Sequence, residues 1–194
     1  MGKWGIVALA ALTAVGTACS PGSVEPAASD EAATSTTHTP RITDDSGRPP
    51  VTFDPCYDIP DGVMNTAGYD TTKKELADMP MGTHTFLGCL YRNDEYIPGV
   101  RRGFGLNILA GNVTLEEEIQ KNGHISEPTA INGRAALLRA HSSQSLACTY
   151  VLETDFGIVI FDRLYHSDSV TSPPIELWCN DFEELVESIE PFLD

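Results

Sequence analysis

Four widely spaced thiols, Cys56, Cys89, Cys148 and Cys179, carry the most readable chemistry in this chain. No Cys-x-x-Cys or Cys-x-x-His pair occurs, so neither a zinc site nor a redox-active dithiol is expected. Nucleophilic constellations are harder to assemble. Ser142, Ser143 and Ser145 follow His141, but no Gly-x-Ser-x-Gly elbow is present. Adjacent side chains on a strand also point to opposite faces, so His141 cannot easily activate Ser142. Asp and Glu total 28, so chance carboxylate pairs discriminate nothing. A glycosidase would need two carboxyls converging from different elements, one with a raised pKa. Asp58, Asp61 and Gly62 lack the remainder of a calcium loop. Glu116-Glu117-Glu118 reads as a solvated helix face, and His84, His124 and His141 as scattered histidines. Gly99, Gly103 and Gly105 beside Arg101-Arg102 match no phosphate-binding loop. No catalytic residue, metal ligand or cofactor is assigned. Arg92, Arg101 and Arg102 form the one dense basic cluster. They are expected to be charges that block pairing at an edge strand or hairpin tip, with an anion or partner contact as the sharper reading. Tyr57, Tyr91, Tyr96 and Tyr150 could line a groove.

A fifth thiol, Cys19, has a different context. Lys3 supplies a positive start, Gly5 to Val15 is apolar, and Gly16-Thr17-Ala18 are the small residues that a signal peptidase cuts after. The apolar run is well short of the ~20 residues that span a bilayer. A Cys directly after that site resembles the lipobox of bacterial lipoproteins, although Gly16 stands where Leu is preferred. The expectation is a signal peptide over residues 1–18 and a lipidated (palmitate-bearing) Cys19 at the outer face of the cell membrane. Simple secretion is the alternative, because Gly16-Thr17-Ala18 also satisfies the ordinary cleavage rule. With Cys19 carrying lipid, the other four thiols are an even number in an oxidising compartment, which favours two disulfides.

The formal charge of −16 should repel nucleic acid and anionic headgroups. A solvated surface is the plain reading, and divalent cations or a cationic partner are the sharper ones. Hydrophobic residues make up 41% and charged residues 21%, enough apolar material for one core. Residues 19–50 have hardly any large apolar side chain and read as a disordered tether. Residues 51–194 read as the globular domain.

Within that domain, Val63 to Ala67 reads as a short helix ended by Gly68. Thr83 to Tyr91 and Gly103 to Ala110 read as neighbouring strands. Thr114 and Glu117 form a capping box that starts a helix ending at Gly123. Arg134 to His141, Ala147 to Glu153 and Gly157 to Tyr165 read as strands, with a compact turn at Asp155-Phe156-Gly157. Ile175, Trp178, Cys179, Phe182, Leu185, Val186, Ile189 and Leu193 recur at helical spacing. Ser172 could cap that last helix, and Pro173 or Pro174 suits its first turn. The order predicts an α+β fold: one domain, a mostly antiparallel sheet packed by helices, and two disulfides.

Phe53-Asp54-Pro55-Cys56, Gly88-Cys89-Leu90-Tyr91, Ile131-Asn132-Gly133-Arg134-Ala135-Ala136, Cys148-Thr149-Tyr150-Val151 and Trp178-Cys179 together resemble the DUF3558 lipoproteins of actinobacteria. The resemblance implies a cell-envelope lipoprotein of unassigned activity and brings no functional residues with it. The element order is also similar to the PsbP/Mog1-type sandwich, by analogy only. Pairing Cys56 with Cys89 and Cys148 with Cys179 joins neighbouring elements, and Cys56–Cys179 with Cys89–Cys148 is the runner-up. The expected function is a non-catalytic binding or accessory module of the envelope, meeting the membrane through its lipid and an unknown protein, glycan or lipid through its domain. The alternative is an envelope hydrolase using unidentified carboxylates or His141.

Overall fold

The computed structural model describes residues 46–93, 102–140, 147–166 and 179–193, all within one unit, Thr39–Asp194. The leader 1–18, Cys19 and the tether to residue 45 lie outside the described residues. So do Tyr96, Arg101, His141, Ser142, Ser143, Ser145 and Trp178.

Eight strands form one antiparallel sheet. They are β1 (Glu75–Leu76), β2 (Met79–Met81), β3 (His84–Arg92), β4 (Arg102–Gly111), β5 (Glu127–Ile131), β6 (Arg134–Ala140), β7 (Ala147–Thr154) and β8 (Gly157–His166). The order is β1-β3-β4-β8-β7-β6-β5, with β2 sharing the outer edge of β3. Three helices are described: α1 (Asp61–Thr66), α2 (Leu115–Asn122) and α3 (Phe182–Ile189).

Alternation along the strands sorts side chains onto two faces. Cys89, Tyr91, Leu106, Ile108, Cys148, Tyr150, Leu152, Val159 and Phe161 point to one face and join the main core. Met64 of α1 and Phe182, Val186 and Ile189 of α3 cover it, with Phe53 and Ile59 from the entering segment. On the opposite face, Leu137, Val151 and Ile158 form a smaller cluster, partly covered by Val113 and Leu115 at the start of α2. The sheet is therefore a middle layer whose second face has only partial cover.

Two disulfides fasten the main core. Cys56–Cys89 ties the entering segment to β3, and Cys148–Cys179 ties β7 to the turn before α3. The preferred pairing is the one present. Tight turns close the β5–β6 and β7–β8 hairpins. Asn132 and Gly133 both have positive φ (48° and 89°), which matches the right-handed strand twist between β5 and β6. At the β7–β8 turn Gly157 has φ 148°, and a Cβ there would press into the carbonyl oxygens of Gly111 and Val113.

Some expectations need correction. The last helix begins at Phe182, later than the periodicity suggests, because Asp181 takes a left-handed conformation (φ 56°) and Cys179 is held by its disulfide. Strands β1, β2 and β5 are additional. The first two have two and three residues, too short to show a period, and β5 exposes four of its five residues. Arg92 is not on an edge strand. β1 lies outside it, and its guanidinium meets Glu75 of that strand at 3.2 Å.

Candidate functional site

The partly covered face of the sheet holds a row of polar side chains where apolar ones would be expected. Asn107 on β4 lies opposite Asp162 on β8. Asp162 lies opposite Thr149 on β7, and Thr149 opposite Arg139 on β6. Direct cross-strand partners share a face, so these four side chains cross four strands side by side. Leu90 on β3 continues the row beyond Asn107.

The local sequence places them there by simple alternation. Ile108, Tyr150, Phe161 and Leu138, one residue removed from each member of the row, face the main core. A single residue's slip on any of these strands would swap the two sets. One register step toward the β7–β8 turn, Leu109, Ile160, Val151 and Leu137 make an apolar row. One step the other way come Gly105, Leu164 and Ala147. The polar row thus runs between two apolar margins.

The hydrogen bonding is dense but incomplete. The Thr149 hydroxyl donates to Asp162 Oδ1 at 2.6 Å. Arg139 reaches out of the sheet to Glu118 of α2, Nη2 to Oε1 at 2.8 Å, and Asn122 Nδ2 donates to the same oxygen at 2.8 Å. Asn107 Oδ1 and Arg139 Nε are buried and have no hydrogen-bond partner among the described residues. Such groups cost free energy unless something pairs with them, which makes an orphan acceptor and an orphan donor in one row notable. Burial raises the pKa of Asp162, and the Thr149 hydroxyl and Arg139 only partly oppose that. Its carboxyl therefore carries a desolvation cost on a face that is half open to water.

The run Glu116-Glu117-Glu118 is corrected by this arrangement. Glu118 is buried at 5% exposure against Arg139, whereas Ile119 is 47% exposed. Glu117 belongs to the capping box and also receives both arms of Arg48, at 2.6 and 2.9 Å, which holds its carboxyl down at about 2. Glu116 is exposed and accepts a hydrogen bond from Gln120. Sequence inspection missed the whole row. The available signal was polar residues at the inward-or-outward alternate positions of otherwise apolar strands, Asn107 and Asp162 above all.

The other residues singled out from sequence do not converge. Tyr57 is exposed. Tyr91 is a core residue donating to the Pro55 carbonyl at 2.7 Å. Tyr150 packs on Phe182 and donates to Glu183, with its pKa pushed up to about 12, first by burial and then by that carboxylate. Asp58 accepts from the Asp54 backbone, and Asp61 pairs with Lys74 at 2.8 Å. Among the described residues, no group of three or more His, Cys, Asp or Glu is placed to hold a metal ion. No described helix is long and apolar enough to cross a membrane, and the two disulfides fit a location outside the cytoplasm.

One family model, described as "Protein of unknown function (DUF3558)", matches residues 14–191, so the chain belongs to that family. No curated protein and no solved structure matches it.

Proposed function

We propose that this DUF3558 chain is a non-catalytic binding module of the cell envelope, exported by its leader and held at the outer face of the membrane by lipid on Cys19. Its recognition surface is the row Asn107, Asp162, Thr149 and Arg139. The observation that carries this reading is the pair of buried, unpartnered groups in that row, Asn107 Oδ1 and Arg139 Nε, on a face with partial cover. A ligand offering a donor and an acceptor would satisfy both. Within the row itself the formal charges cancel, Asp162 against Arg139. That favours an uncharged ligand rich in hydroxyl or amide groups. The apolar margins, with Ile160 on one side and Leu164 on the other, suit the C–H faces of sugar rings. A glycan of the envelope fits best.

The test places a photo-crosslinking residue at Leu90, which continues the row, in otherwise intact cells. A second crosslinker at exposed Glu187 of α3 is the control. The reading expects a defined adduct from position 90 and none from 187. Equal labelling from both positions would remove the row as the recognition surface. For the anchor, Cys19→Ser should release folded protein into the medium. An unmodified Cys19 at the mature N-terminus of the wild type would refute lipidation.

A hydrolytic reading has one observation in its favour. Asp162 is a carboxyl with a raised pKa on a half-open face, the state a general acid needs. Release of reducing ends from purified cell-wall glycan by the wild type, lost in Asp162→Asn, would establish it.

A further inference from the structure

The two disulfides differ in what surrounds their sulfurs. In Cys56–Cys89 both cysteines are sealed in the main core, at 2% and 0% exposure. Cys56 Sγ lies 3.7 and 3.8 Å from the backbone oxygens of Glu75 and Gly88, and Cys89 stands between Leu76 and Ile108 in the sheet. A thiolate formed there would face carbonyl oxygens and hydrocarbon. In Cys148–Cys179 the two ends are unlike. Cys148 is fully buried on β7, whereas Cys179 is only partly buried, in the turn before α3.

Arg163 supplies the second difference. It is the direct cross-strand partner of Cys148 on β8, so both side chains leave the sheet on the same face. Arg163 is buried, its guanidinium lies over the Phe182 ring, and it donates through Nη2 to the carbonyl of Asn180, the residue after Cys179. The cation thus reaches from β8 to the chain segment to which Cys148 is bonded. On the other side, Asp181, Glu183 and Glu184 follow Cys179, and α3 contains no Lys or Arg.

Thiol–disulfide exchange begins when a thiolate attacks one sulfur, and it is faster when the other sulfur leaves as a stabilised thiolate. A neighbouring guanidinium lowers a thiol's pKa, and apolar burial raises it. Cys148 is buried, but its charge would form beside a guanidinium that is buried with it. These rules make Cys179 the sulfur that is reached and Cys148 the sulfur that leaves. Cys56–Cys89 has neither an open sulfur nor a cation opposite it in register.

We propose that Cys148–Cys179 is an exchangeable disulfide that a dithiol reductant opens in the folded domain, while Cys56–Cys89 stays closed. The donor's first thiolate attacks Cys179 Sγ, the S–S bond breaks, and its electron pair leaves on Cys148 Sγ beside Arg163. The donor's second thiolate then attacks its partner sulfur in the mixed disulfide, which frees Cys179 as a thiolate and closes the donor's own disulfide. The two protons lost by the donor balance the two taken up by Cys148 and Cys179. Phe182, Val186 and Ile189 are buried apart from that bond, and the Arg163–Asn180 hydrogen bond still joins the segment to β8, so the opened domain keeps α3 on the sheet. The exchange uses no member of the polar row.

The experiment incubates the full mature protein with dithiothreitol without denaturant, alkylates with N-ethylmaleimide at intervals, and maps the labelled cysteines by mass spectrometry. Cys148–Cys179 should open at least about tenfold faster than Cys56–Cys89. Opening through global unfolding would release both bonds at one rate, and that result would overturn the proposal. A second run with 2-mercaptoethanol, a monothiol, should leave its adduct on Cys179 and the alkyl group on Cys148. The reverse placement would overturn the assigned direction of attack. Arg163→Gln should lower the ratio of the two opening rates by about threefold or more, because Cys148 becomes a poorer leaving group, and Arg163→Lys should hold it within about twofold. An unchanged ratio in Arg163→Gln would remove Arg163 from the account. The two wild-type runs do not depend on either variant folding.

Discussion

Glu118 of α2 meets Arg139 of β6 at 2.8 Å, and that contact sets how the helix lies on the sheet. Leu115, Glu118 and Asn122 share the inward side at helical spacing, while Ile119 is left 47% exposed. A helix seated only by its apolar residues would have turned Ile119 in. The ion pair is largely buried, with Glu118 at 7% and Arg139 at 21% side-chain exposure, so removing one partner strands the other. Glu118→Ala should therefore cost about 2–3 kcal/mol, below the value for a fully buried pair because Arg139 retains some water. Glu116→Ala on the same helix should stay within about 0.5 kcal/mol. Urea unfolding of the two variants checks this.

Asp162 makes a prediction whose sign differs from that of most buried carboxylates. Its folded pKa is raised by burial, so the fold favours the protonated form. The ionised carboxylate then lowers stability, and stability falls as pH rises from the unfolded pKa toward the folded one. Asp162→Asn keeps an acceptor for Thr149 and removes the charge. It should be as stable as the wild type at low pH and more stable above the folded pKa. Unfolding midpoints measured across pH 3 to 8 would reveal the divergence. A variant that is less stable than the wild type throughout that range would show that the Arg139 attraction outweighs the burial cost.

Much of this architecture was legible in the sequence, for reasons that differ by element. The capping box at Thr114 and Glu117 is present with both reciprocal hydrogen bonds, because it depends on four adjacent residues and nothing distant. The β7–β8 hairpin was legible from apolar runs bounded by a turn. The disulfide pairs followed from the adjacency of the elements that carry them. The Asn132-Gly133 hairpin had its dipeptide signal, yet β5 itself is polar and exposed and shows no apolar face. The polar row was not legible because it is a property of register. Asn107 and Arg139 are 32 positions apart and meet only through two intervening strands. Glu118 was misread because its counter-charge lies on a strand 21 positions away, invisible to any helical period.

The disulfides supply the next test. Each closes a loop of just over 30 residues, with separations of 33 and 31. The chain-entropy model gives roughly 3–4 kcal/mol for each. Cys148→Ala with Cys179→Ala should lower the unfolding free energy by about that amount and loosen α3 first, since that bond ties the turn before α3 to β7. Amide exchange should then speed up in residues 182–189 before residues 84–92. Exchange that speeds up uniformly would show that the bond supports the whole sheet and not the helix docking.

Phe182 separates core from surface on α3. It is fully buried, packs edge-to-face on Tyr150, and lies beneath the Arg163 guanidinium at 4.9 Å. Phe182→Ala should cost about 3–5 kcal/mol. That is a large share of a typical total of roughly 5–15 kcal/mol. Glu187→Ala, on the exposed side, should change stability by no more than about 0.5 kcal/mol. Glu183 is not a neutral control, because it accepts the Tyr150 hydroxyl at 3.2 Å. Thermal melts of the three variants would rank them as Phe182, then Glu183, then Glu187.

The most direct test of the central claim compares Asp162→Asn with the wild type in the crosslinking assay from position 90. A recognition surface built on the polar row predicts a variant at least as stable as the wild type at neutral pH that forms the adduct weakly or not at all. An Asp162→Asn protein that is stabilised and still forms the full adduct would contradict the account, because the row would then be a structural feature of the sheet and the ligand would bind elsewhere.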